Sequence, residues 1–275
     1  MRAFLGAVLA VLFAWPAAAT GSPPSLEHGF RLMYSLDFLP ADRELSEWQS
    51  QHPGNPLGPM SRAANVLFAE LDRAGILQAQ FFVDDASFTS RKPAAPDPQL
   101  CRQFEARLAD AEAQATSRLR ADPHDHDALF ALAMVHGLRA DYAALIEGRG
   151  MAALSHTRQA ARLARTLLDE APDYVDAYLA TGIAQYIVGS LVAPVRWVLR
   201  LAGYAGDKAQ GMHELELVAE RGPLLGPFAR ILLAIAYLRD HRKEEALQVL
   251  SGLNRDFPSN PLFAREIQRL DGSGD

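Results

Sequence analysis

From Leu26 onward the apolar residues of this chain recur at spacings of three and four, as in Phe104, Leu108, Ala111, Ala115 and Leu119. That is the period of a helix with one face turned toward a core. Runs that alternate apolar and polar residues, and the Val-, Ile- and Thr-rich stretches of a sheet, are missing, so the pattern predicts an all-α protein. One stretch, Ala177 to Val195, carries no charge. Its interruptions at Thr181, Gln185, Ser190 and Pro194, set in a continuing helical pattern, fit a buried helix rather than a bilayer span.

Five prolines mark a repeat. Twelve residues before Pro53, Pro123, Pro172, Pro223 and Pro258 stand Ala41, Ala111, Ala160, Gly211 and Ala246, all small. Eight before them are Leu45, Ala115, Ala164, Leu215 and Leu250; five before are Trp48, Arg118, Leu167, Val218 and Leu253. Arg118 breaks the apolar series, and Leu119 beside it can fill the space. A small residue in mid-helix lets a neighbouring helix approach, larger residues in later turns fill the gap, and proline stops the helix before a turn. Each unit therefore supplies one helix of a pair. The partners repeat as well: Gly29 lies twelve residues before Ala41, and Leu233-Ala234 and Tyr237 precede Ala246. Asp127-Ala-Leu-Phe-Ala131 follows Pro123 at the same offset at which Asp176-Ala-Tyr-Leu-Ala180 follows Pro172.

On these residues the chain resembles the tetratricopeptide repeat (TPR) family, whose 34-residue unit sets Leu-Gly, Tyr, Ala, a large apolar residue and Pro at such offsets. The resemblance implies a right-handed superhelical array of antiparallel helix pairs, a TPR-like α-solenoid, forming one domain over residues 20–275. The last spacing, 35 residues, is near the family length, whereas spacings of 70, 49 and 51 imply insertions. A loop is expected at about 84–100, within it Ser87 to Pro98, and a short extra helix and turn over Pro194 to Gly206, with the next helix starting near Asp207. Such a layout is similar to that of secreted bacterial repeat proteins with stretched central units.

The first nineteen residues, MRAFLGAVLAVLFAWPAAA, read as a secretory signal: Arg2, an apolar run shorter than a bilayer span, then Ala17-Ala18-Ala19. Cleavage is expected after Ala19, and the expected location is the bacterial periplasm or the exterior. Cys101 is the single cysteine, so an internal disulfide is ruled out.

With 275 residues, 49% apolar and 22% charged, the chain can bury a sizeable core. A formal charge of −6 gives no electrostatic grip on nucleic acid. No cofactor or metal is implied. His124-Asp-His-Asp127 lies at a helix start, where Asp125 or His126 precedes the helix and Asp127 suits its positive end. His213-Glu214 reads HELEL, with Leu217 in place of the second zinc-protease histidine. Cys101 has no placed base beside it, so no catalytic residue is assigned and the chain is expected not to be an enzyme. Arg158, Arg162 and Arg165 form a basic stripe, read as a solvated face. Arg196, Trp197 and Arg200 form a smaller one, the place where membrane contact would fall, although a solvated face is the ordinary explanation.

Carrying the family's inward-facing positions across gives Asp127, Phe130 and Met134; Asp176, Leu179, Ile183 and Tyr186; and Phe228, Ile231, Ile235 and Leu238. The resemblance thus implies an apolar concave groove in which Phe130, Met134, Leu179, Ile183, Tyr186, Phe228, Ile231 and Ile235 bind a segment of a protein or peptide partner. That makes a non-enzymatic interaction scaffold the first expectation. The alternative is a helical-repeat enzyme or small-ligand carrier whose site uses the inserted segments. A third possibility, that these residues are ordinary core, has equal standing with the groove.

Overall fold

The computed structural model describes residues 23–77, 95–190 and 206–272. Among these residues the protein is helical throughout, with no strand. Eleven α-helices follow in order: α1 (Leu26–Tyr34), α2 (Phe38–Gln51), α3 (Leu57–Arg73), α4 (Pro98–Ala121), α5 (His126–Asp141), α6 (Gly150–Glu170), α7 (Tyr178–Ser190), α8 (Lys208–Arg221), α9 (Gly226–Arg239), α10 (Lys243–Asp256) and α11 (Pro261–Gly272). A π-helical turn, Tyr142–Ile146, extends α5, and a 3₁₀ turn, Val175–Ala177, leads into α7.

Four helix starts are set by short acidic or hydroxyl side chains that accept otherwise unpaired amides. Ser25 accepts from His28 N, Asp97 from Gln99 N and Leu100 N, Asp125 from Ala128 N, and Asp207 from Ala209 N and Gln210 N. Asp125 is therefore the cap in the His124–Asp127 segment, and α8 begins where Asp207 foretells. The expected loop at about 84–100 is corrected at its far end: Pro98 is the first residue of α4, because proline's fixed φ and missing N–H suit that position.

The proline repeat fixes the even-numbered helices. In α2, α4, α6, α8 and α10 the last helical residue lies two positions before Pro53, Pro123, Pro172, Pro223 and Pro258. At each end the amide just before the proline donates to the carbonyl five residues before it. The five bonds run from His52 to Trp48, Asp122 to Arg118, Ala171 to Leu167, Gly222 to Val218 and Phe257 to Leu253, at 2.8–3.1 Å. The residues twelve and eight before the prolines are buried, among them Ala41, Ala111, Ala246, Leu45, Ala115 and Ala164 with no exposed surface. Arg118 leaves the core face and pairs with Asp125 at 2.5 Å, while Leu119 packs against the core.

Each helix packs against the one that follows it, and the odd-numbered series also touches along itself, α1 on α3, α3 on α5 and α5 on α7. Small residues allow the closest approaches. A methyl group on Gly29 would meet Leu45 Cδ2 at 2.3 Å, and one on Gly211 would meet the Tyr186 backbone nitrogen at 2.5 Å.

The first helix also reaches the last units. Tyr34 Oη donates to Leu224 O at 3.1 Å, Asn260 Nδ2 donates to Tyr34 O at 2.9 Å, and the Tyr34 ring lies 5.9 Å from that of Phe257. Between units, the two aspartates of the repeated phrase act as links. Asp127 accepts from Tyr174 Oη at 3.2 Å, and Asp176 accepts from Leu224 N and Leu225 N at the start of α9. Of the uncharged stretch, Tyr178–Ser190 forms α7, a partly buried helix with Leu179, Thr181, Gly182 and Val188 buried, and residues 191–195 lie outside the described residues.

Candidate functional site

The odd-numbered helices carry apolar rows that converge. On α5 the row is Phe130, Met134, Leu138 and Asp141; on α9 it is Phe228, Ile231, Ile235 and Leu238. At one end the rows interlock. Phe130 and Leu179 are 1% and 5% exposed, and Phe68 of α3 meets Phe228 of α9 edge-to-face at 5.7 Å. This part leaves a cavity of only about 60 Å³, bordered by Phe130, Met134, Leu179, Ile183 and Phe228.

Toward the C-terminal ends of α3, α5, α7 and α9 lies a second space, of about 280 Å³. Its walls include Leu71, Leu145, Ile183, Ile187, Phe228, Ile231, Ile235 and Leu238, and α11 closes one side with Leu262 and Phe263.

Among the described residues four ionisable groups border the two cavities, and three are held by neighbours. Tyr34 donates to Leu224 O, Asp176 accepts the two α9 amides, and Glu266, almost fully buried, is paired with Arg269. Asp141, common to both cavities, has no hydrogen bond or ion pair among the described residues. Burial pushes its carboxyl up to about 7, because the charged form loses hydration without gaining a counter-charge.

Seven of the eight groove residues read from the sequence border one or both cavities. Tyr186 does not. It sits beside α8, with Lys208 Nζ 5.9 Å from its ring centre, and Ile187 takes the place on the cavity wall. Asp141 escaped the sequence reading. The signal was available, since Asp141 is eleven residues after Phe130 and so falls on the same helical stripe as Phe130 and Met134. Arg196, Trp197, Arg200, the signal-like residues 1–19 and most of the expected loop lie outside the described residues.

Other chemistry is thinly supplied. His136 and His156 face each other with their Nδ1 atoms 3.3 Å apart, and burial pushes both below the usual imidazole range. Among the described residues no three His, Cys, Asp or Glu side chains are grouped to hold a metal. His124 is instead hydrogen-bonded to Glu170 at 2.9 Å. By length and composition one described helix, His126–Ile146, could cross a membrane, but over half of it is buried in the protein as core. Comparison with protein-family models finds no match. Comparison with curated proteins finds none either.

Proposed function

We propose that the chain is an exported, non-enzymatic, TPR-like binding protein whose concave cavity receives the apolar part of a guest molecule. The observation that carries this reading is the space of about 280 Å³ between α3, α5, α7, α9 and α11. Cores are packed to leave few voids larger than a water molecule, so an apolar space of this size is a departure from ordinary packing. An engineered apolar cavity of about 150 Å³ is enough to bind benzene. The solenoid architecture is part of the proposal, supported by the contacts along the odd-numbered helices and the shared ends of the even-numbered ones.

Titration with an apolar fluorescent probe tests it. Saturable binding by the wild type, weakened at least tenfold in Ile235→Trp, where an indole fills the space, is the expected result. A wild type that binds no probe, or a folded Ile235→Trp that binds it equally, removes the reading.

A partner segment remains the second reading, and the observation favouring it is Ile187, 41% exposed on the cavity wall. A large apolar side chain accessible beside an apolar cavity is what a docking helix would cover. Crosslinking in the native host, comparing wild type with Ile187→Asp, tests this; capture of the same protein by both variants rejects it.

A further inference from the structure

The cavity's polar equipment narrows the chemistry of the guest, on the reading that the cavity binds one. We infer that it takes an amphipathic amine, a primary ammonium head beside Asp141 with an alkyl chain along Ile183, Phe228, Ile231 and Ile235. Three observations support this. The lining is apolar except for a few groups, and among the ionisable ones Asp141 alone has no partner among the described residues.

Among the described residues, the charged groups bordering the space are Asp141 and Glu266, with no Lys, Arg or His, so a guest carboxylate or phosphate would meet like charge there. Glu266 is already neutralised by Arg269, which leaves Asp141 as the acceptor. An ammonium group supplies the partner that this carboxylate lacks among the described residues, and a charge-assisted hydrogen bond is stronger than a neutral one.

Size sets the chain length. A space of about 280 Å³ is nearly twice the cavity that holds benzene, which corresponds to an alkyl chain of about eight to ten carbons. Asp141 lies where the wide cavity meets the narrow one, so a head held there directs the tail toward α9 and α11.

The test is displacement of an apolar fluorescent probe from the full chain by decylamine, 1-decanol and decanoate, each below its micelle concentration, at pH 8.5. Decylamine is expected to displace the probe at about tenfold lower concentration than decanol, with decanoate weakest. Asp141→Asn should make amine and alcohol equal while leaving the alcohol unchanged, which shows that the variant is folded and its cavity intact. Equal displacement by amine and alcohol in the wild type overturns the inference and leaves the cavity reading standing. A preference for the amine that survives Asp141→Asn also overturns it. Failure of the probe and all three compounds to bind removes the cavity reading and this inference with it.

Discussion

Tyr34 and Leu224 are 190 residues apart in the chain, yet the phenolic hydroxyl of one donates to the carbonyl of the other at 3.1 Å. The contact joins α1 to the turn that starts α9. Burial pushes the Tyr34 hydroxyl well above the usual phenol range, so it stays a donor at any ordinary pH. Tyr34→Phe removes the donor and strands a buried carbonyl. The expected loss is about 1–2 kcal/mol in urea denaturation, with helix content unchanged by circular dichroism.

Asp176 replaces a local cap. Leu225 precedes α9 and has no polar side chain, so the aspartate of the preceding unit supplies the acceptor for Leu224 N and Leu225 N. Asp176→Ala leaves two buried amides without a partner and should lower stability by about 2–3 kcal/mol. Amide hydrogen exchange should show faster exchange at Leu224 and Leu225 than in the wild type.

The contribution of Asp141 to stability should fall as pH rises from about 4 to 7. Its carboxyl titrates at about 7 in the folded chain, whereas an unfolded aspartate titrates near ~4. The contribution is complete below the unfolded value, because the folded state holds the proton more tightly. It is lost as pH climbs through the folded value, where the group ionises without a counter-charge among the described residues. The span is up to about 4 kcal/mol. Asp72 and Asp176 are also shifted upward, so the informative quantity is the difference between wild type and Asp141→Asn across this window. That difference should change sharply with pH; a constant one contradicts the assignment.

At Gly211 the backbone of α8 passes close against that of α7. Gly211→Ala should destabilise the protein by about 1–3 kcal/mol, although alanine favours helix by about 1 kcal/mol. The added methyl would stand 2.5 Å from the backbone nitrogen of Tyr186, an atom that cannot swing away. Thermal unfolding of this variant beside Gly137→Ala, where nothing lies within 4 Å, checks the argument.

Much of the fold was legible because the proline stops and the small residues twelve positions earlier encode local geometry. Ala111, Ala160 and Ala246 are buried where a neighbouring helix must approach, and each associated helix ends two residues before its proline. The site was harder to read. Whether Phe130 and Ile231 face packing or open space depends on how far the axes of α5 and α9 diverge, which no single helix records. Tyr186 and Ile187 show the same limit, since neighbours on one helix differ by about 100° and a small rotation exchanges their roles. Asp141 was visible in phase with Phe130, but its lack of a partner among the described residues is a property of the assembled helices.

The bonds of Tyr34 to Leu224 and Asn260 have a bearing on how the molecule comes apart. An open stack of units can fray from either tip, each outer unit melting ahead of its neighbour. Here α1 is bonded to the turns that precede α9 and α11, so loosening either region strips support from the other. The same clasp makes the count of units hard to change: adding or removing one would carry Tyr34 away from its acceptor.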